Sequence, residues 1–237
     1  MHKFITILLL IAVSISITFA EEVNELAVID QLRTQGGQVK VLTRIEVYEQ
    51  GELTSTSRMN VYVGTQRKSL AVYVSEREAG QKVLMIDDKF WLFLPSSKRA
   101  MRITSMQKMM GEASVGDVAS LAWSEDYQII ERYQDEQMLK LELVAARKGL
   151  SYSKVSLWVQ PDTFYPVKAD FYLKSGKLAK QATFELTQVN NEWMVQSLSL
   201  QDRVQKDQLT KIVYENTSPL EMKDKWFTPQ FLLRATP

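Results

Sequence analysis

The stretch Lys89-Phe90-Trp91-Leu92-Phe93-Leu94-Pro95 decides the fold. Its apolar residues run on without the alternation of a half-wet strand, and in a strand that means burial on both faces. Something therefore covers each side of the sheet there. The convex face of an antiparallel half-barrel ordinarily meets water, so this run points to helices packed inside the curve. The methionine-rich segment 105–122, with Met106, Met109, Met110, Val118 and Leu121, reads as a short helical cover. Methionine adapts to irregular apolar surfaces, although methionine at helical spacing is also an ordinary core pattern.

Outward from this run the chain alternates with period two. Val39, Val41 and Val47 lead through the turn at Gln50-Gly51 into Met59, Val61 and Val63, a hairpin. Leu70, Val72 and Val74 follow, then Leu139, Leu141 and Leu143, then Val155, Leu157 and Val159. Tyr165, Val167, Ala169, Phe171 and Leu173 interleave with polar residues, giving one apolar face and one wet face. Ser175-Gly176 turns this strand into Ala182, Phe184 and Leu186, and Asn190-Asn191 turns the next into Glu192 to Leu200. With a last strand near Asp207 to Asn216, the count is about ten strands at the spacing of an all-β sandwich or barrel. Helical spacing is confined to Val23–Arg33, to residues 105–122 and to the tail from Leu220 to Leu233. No repeat or linker interrupts the pattern, which predicts one domain over residues 21–237.

The first twenty residues have the layout of a cleaved secretory leader: Lys3, an apolar run from Phe4 to Val13, and small residues before a cut after Ala20. That run is shorter than the ~20 residues of a membrane span. The reading is an exported, periplasmic protein, and without any cysteine it has neither a lipid anchor nor disulfides. Cleavage removes Lys3 and His2, the only histidine, and leaves 28 basic against 28 acidic residues. A neutral chain gives no reason to expect nucleic acid as a partner. Without His or Cys the usual zinc sites, the Ser-His-Asp triad and thiolate nucleophiles are excluded, and no cofactor is expected. A glycosidase built on Asp87-Asp88, Glu125-Asp126 or Asp135-Glu136 would need two carboxyls facing across a cleft, and these pairs sit in turn-like stretches where acids are solvated. Trp91, Trp123, Trp158 and Trp193 could stack on sugars, but tryptophan more often packs on a sheet. Ser114, Ser120 and Lys108 lack the spacing of a Ser/Lys pair. The chain reads as a binding protein, not an enzyme.

The string Val83 to Pro95, with Trp91-Leu92-Phe93-Leu94-Pro95 at its end, followed by Lys98-Arg99-Ala100-Met101-Arg102-Ile103, resembles the signature of the outer-membrane lipoprotein-sorting (LolA-like) proteins. Met109-Met110-Gly111 through Gly116-Asp117-Val118 resembles that family's helical lid, and Trp226-Phe227-Thr228 to Leu232 its closing segment. The resemblance implies a mainly β fold of the LolA/LolB type: a strongly curved antiparallel sheet, an open half-barrel, wrapped around short helices. It also implies an apolar cavity for the acyl chains of a lipid or lipoprotein. Each buried CH₂ is worth about 0.8 kcal/mol, so such a groove competes with a membrane without a covalent step.

On this reading the cavity and lid residues are Trp91, Phe93, Met106, Met109, Met110, Leu121, Trp123, Phe171 and Phe184. Arg67, in Gln66-Arg67-Lys68-Ser69, stands where the sorting proteins carry a lid-closing arginine in a K-R-P turn, here without the proline. Arg99 and Arg102 are head-group candidates at the cavity mouth, or charges guarding a strand edge. Phe227 and Phe231 either dock a membrane protein or pack on the sheet. Relatives linked to inner-membrane transporters of the resistance-nodulation-division type add such a transporter as a partner. The alternative is a transporter-associated or envelope-assembly binding protein with no lipid cargo.

Overall fold

The structure is a computed structural model that describes residues 24–34, 37–119, 122–202, 207–234 and 237. The leader read over residues 1–20 lies outside the described residues, as does Leu121. Helix α1 (Glu25–Thr34) opens the fold; Asn24 caps it by accepting the Ala27 amide on Oδ1 at 3.1 Å. Strands β1 (Val39–Glu49), β2 (Glu52–Val63), β3 (Lys68–Tyr73), β4 (Lys82–Ile86), β5 (Lys89–Leu94) and β6 (Arg99–Ile103) follow as a meander. A small hairpin, β7 (Lys108–Met110) with β8 (Ala113–Ser114), leads into helices α2 (Val115–Ala119) and α3 (Trp123–Asp126). The second meander is β9 (Tyr127–Gln134), β10 (Leu139–Ala145), β11 (Lys154–Val159), β12 (Pro166–Tyr172), β13 (Leu178–Val189), β14 (Glu192–Asp202) and β15 (Gln208–Pro219). A 3₁₀ turn (Asp224–Trp226) and helix α4 (Pro229–Arg234) close the chain.

Among the described residues thirteen strands form one open antiparallel sheet in the order β6-β5-β4-β3-β2-β1-β15-β14-β13-β12-β11-β10-β9. Two meanders thus join where the first strand pairs the last, from Val39 opposite Pro219 to Glu49 opposite Gln208. The turns follow their chemistry: Gln50-Gly51 and Asn190-Asn191 both hold positive φ, as two-residue hairpin turns require. The sequence count of about ten strands falls short partly at β9, an edge strand exposed along most of its length, which has no apolar alternation to announce it.

The sheet must curve. Neighbouring strands lie about 4.8 Å apart, so a flat sheet would place β5 and β12 roughly 38 Å from each other. Yet Phe90 of β5 and Phe171 of β12 border one cavity. The concave face carries the main core, with Met59, Val61, Ala71, Val83, Phe90, Leu141, Leu157, Phe171, Phe184 and Leu198 packed against Leu26, Ile29 and Leu32 of α1 and against Trp123. The expectation of helices inside the curve is met by α1, α2 and α3.

The double burial of the decisive run has a second source. Tyr62, Leu70, Val72 and Leu84 form a separate cluster on the convex face, covered by Phe227 and Leu232 of the C-terminal segment, with Trp91 and Phe93 packed against it. Trp226 meets Tyr62 edge to face at 5.9 Å. Buried Lys82 donates to the Leu232 carbonyl at 3.0 Å, capping the end of α4, and its ammonium lies 5.1 Å from the Phe93 ring centre. Two expectations are therefore corrected. Trp91 and Phe93 face the C-terminal segment and not the concave cavity, because their alternate neighbours Phe90 and Leu92 take the inner face. Met109 and Met110 lie on a strand, not a helix: Gly111, at φ 51°, makes the tight turn that folds them into a hairpin.

That turn supports a first prediction. A Cβ on Gly111 would collide with Thr210 Oγ1 and lie 2.8 Å from Val47 Cγ2. Gly111→Ala is expected to destabilise by roughly 1–3 kcal/mol through overpacking and backbone strain, read as a lower urea midpoint at unchanged slope.

Candidate functional site

The site begins with α1. Asp30 accepts the amides of Trp123 at 2.7 Å and Ser124 at 2.8 Å, so a side chain of one helix caps the first turn of α3. Burial holds the Asp30 carboxyl above the usual carboxylate range, against the pull of the Ser124 hydroxyl, these amides and the nearby Arg33 charge. The cap fixes Trp123 at the centre of an aromatic cluster, edge to face with Phe171 at 6.0 Å, Phe184 at 6.2 Å and Tyr127 at 6.2 Å. Tyr152 lies 4.7 Å from Phe171.

The two margins of the open sheet meet beside this cluster. The Arg67 guanidinium, from the loop between β2 and β3, forms a buried ion pair with Asp126 at the end of α3. It also donates to the Asp87 carbonyl at 3.3 Å. Arg147 stands 4.0 Å from the same Asp126 carboxylate. Burial pushes Arg67 below the ordinary arginine range, and the charge of Arg147 adds to this. Next to the pair, Ser105 Oγ donates to the Gly149 carbonyl at 3.1 Å. Gly149, at φ 86°, leaves room for the Asp88 side chain, whose Cβ would be 2.6 Å from an added methyl. Hydrogen bonds, an ion pair and close packing thus hold a seam that, among the described residues, no strand pairing closes.

A second polar knot lies under the hairpin. Lys180 of β13 donates to the Glu112 carbonyl at 2.6 Å and pairs with Asp117 of α2 at 2.8 Å. The other Asp117 oxygen accepts the Tyr152 hydroxyl at 2.9 Å. Burial, then the Asp117 charge, pushes Tyr152 well up. These ion pairs tie α2 and α3 to opposite sides of the sheet.

Inside the curve, beneath the seam, lies a cavity of ≈ 40 Å³ bordered by Arg33, Arg67, Trp123, Tyr152 and Phe171. A wider cleft of ≈ 340 Å³ opens between α1, α3 and the Arg67 loop, and a groove of ≈ 180 Å³ lies beside Met106, Lys108 and Lys180. Of the residues expected to line the cavity, Trp123, Phe171 and Phe184 come together on the concave side, with Met109 and Met110 packed at the core margin. Met106 is exposed and borders the groove. Arg99 and Arg102 lie on edge strand β6, exposed and apart from Arg67; Arg102 stacks on Trp91 at 4.5 Å. Sequence reasoning missed Arg33, Asp117, Tyr152 and Lys180. Arg33 had a signal: it falls four residues after Ile29, on the apolar stripe of α1. Among the described residues no group of His, Cys, Asp or Glu could hold a metal, and no helix is long and apolar enough to cross a membrane.

Comparison with known proteins agrees with this architecture. A LolA superfamily protein from Nitrosomonas europaea has a TM-score of 0.78 at 24% identity, over 87% of this chain and 97% of its own. An outer membrane lipoprotein-sorting protein domain from Vibrio parahaemolyticus gives 0.69 at 21% identity, over 89% and 97%. A DUF1329 family protein from Desulfovibrio piger gives 0.67 at 22% identity, over 88% and 96%. No curated protein matches in sequence. One family model, described as "-like: Uncharacterized protein", matches residues 65–234. The chain belongs to the family that this model describes, and its fold is that of the LolA superfamily.

Proposed function

We propose that residues 21–237, exported to the periplasm, act as one domain that takes up an acyl chain on the concave face and passes it between membrane partners without a chemical step. One observation carries this reading. The concave apolar lining, with Trp123, Phe171 and Phe184 at its centre, is covered by short helices held to α1, to β13 and across the seam by a few polar contacts. Such a cover lifts without breaking the sheet. The room for a chain is then made by moving Trp123, and each methylene that replaces it regains about 0.8 kcal/mol. Arg67 is the clasp of the closed state, and a transporter of the resistance-nodulation-division type is one donor or acceptor consistent with the family resemblance.

Purified from the periplasm without detergent, the protein is expected to carry a stoichiometric acyl ligand in native mass spectrometry. An empty, folded protein that also refuses a fluorescent fatty-acyl probe would favour an assembly factor with no lipid cargo. Joint replacement Met109→Asp with Met110→Asp is expected to weaken probe binding at least about tenfold with the circular dichroism of the sheet retained, because charges at the core margin resist desolvation. Undiminished binding would remove the hairpin from the site.

A further inference from the structure

Arg33 is a buried cation whose donors are left partly idle: Asp30, one turn before it, lends it negative charge but spends both oxygens on the α3 amides. It lies in the last turn of α1, 3% exposed, on the stripe that carries Leu26 and Ile29 into the core. Its Nε and Nη1 have no hydrogen-bond partner among the described residues. Its guanidinium carbon lies 5.4 Å from the Trp123 ring centre, a contact that occupies a face of the group and none of its N–H donors. An arginine cannot escape burial by losing its proton, so donors left unmade are costly.

The surrounding buried charges are answered. Arg67 has Asp126, Lys180 has Asp117, and both oxygens of Asp30 are taken by the α3 amides. Arg33 borders the cavity of ≈ 40 Å³, and so does Ser151, whose Oγ is also buried and without a hydrogen-bond partner. Two sets of idle donors therefore share one small space. On this measure a water fills roughly 10–15 Å³, so the closed space takes a group of about three non-hydrogen atoms, the size of a carboxylate. Three acids also border it. Asp117 is neutralised by Lys180, while Asp87 and Asp88 are exposed at the turn between β4 and β5.

We propose that Arg33 and Ser151 receive the carboxylate of a long-chain carboxylic acid, its alkyl chain running among Trp123, Phe171 and Phe184. The cargo is then a free fatty acid and not a fully esterified lipid. This rests on the acyl-carrier reading and narrows its substrate class. Arginine suits the task because its planar fork gives two parallel hydrogen bonds to a carboxylate.

The test compares dodecanoate, methyl dodecanoate and acetate by isothermal titration against the mature protein, Arg33→Gln and Ser151→Ala, with circular dichroism as the control for folding. Dodecanoate is expected to bind the unaltered protein at least about tenfold more tightly than the ester, and Arg33→Gln to erase the difference while keeping ester binding. Equal affinities for acid and ester in the unaltered protein would overturn the proposal while leaving the carrier reading intact, and so would an acid preference that survives Arg33→Gln. Binding of neither amphiphile would sink the carrier reading itself. Acetate binding without dodecanoate binding would leave a small-anion site only. Should Arg33→Gln fail to fold, the acid-against-ester comparison in the unaltered protein decides alone.

Discussion

Arg67→Met is expected to destabilise the protein by about 3–5 kcal/mol, because it takes away the ion-pair partner of a buried carboxylate. Asp126 is fully buried, and its ion pair with Arg67 is the shortest route by which the loop after β2 holds the end of α3. Arg67 sits at φ 55°, and methionine in its place bears the same backbone cost, so the change removes the guanidinium, with its charge and its hydrogen bond to the Asp87 carbonyl, and adds no backbone strain. Arg147, 4.0 Å from Asp126 and more exposed than Arg67, is a weak substitute. The double variant Arg67→Met with Asp126→Leu is expected to recover much of the loss, since removing both charges also removes their desolvation cost. Urea unfolding of the two singles and the double decides the matter. Equal midpoints for Arg67→Met and the double variant would mean that Asp126 is answered elsewhere and that the seam does not depend on this pair. If the pair is the clasp proposed above, the single variant also exchanges the amide hydrogens of α3 faster than those of the strands.

The second large effect concerns the convex face. A chain ending at Pro219 loses Phe227, Leu232 and the partners Trp226 and Phe231, and so uncovers Tyr62, Leu70, Val72, Leu84, Trp91 and Phe93 together. Full burial of one such side chain is worth about 1.5–3 kcal/mol, and a whole domain is stable by about 5–15 kcal/mol. The truncated chain is expected to collect in the insoluble fraction, and the milder Leu232→Ala to lose about 2–5 kcal/mol. A soluble truncated chain with an unchanged midpoint would show that the segment is not part of the folded unit.

Much of this architecture was legible in the residues, for reasons that also explain what was not. Period-two alternation and turn chemistry at Gln50-Gly51 and Asn190-Asn191 are local, and they placed the long strands well. The run from Phe90 to Leu94 announced two covered faces, but alternation alone does not say which face is inner, and that depends on where a segment more than 120 residues later comes to rest. Residues 105–122 misled because methionines fit a helix and a hairpin equally, and the deciding fact is the space at Gly111 between Val47 and Thr210. Arg67 was singled out through the family resemblance, and the structure gives it a partner in Asp126. The chemistry of Arg33 needed coordinates, since an arginine on an apolar stripe says nothing about whether an acid awaits it.

The pairing of β1 with β15 carries a consequence for the order in which the molecule is made. Leu42 lies opposite Asn216, so the centre of the sheet is the last part that a ribosome supplies. While residues 50–207 emerge, one edge of β1 stays without its neighbour, and the early meander presents a bare row of backbone donors and acceptors. Contacts so distant in sequence close slowly, and chains waiting on them are prone to pair with one another. Folding should therefore begin in the two meanders separately and finish in a late step that zips them together, in competition with association between chains that grows with concentration.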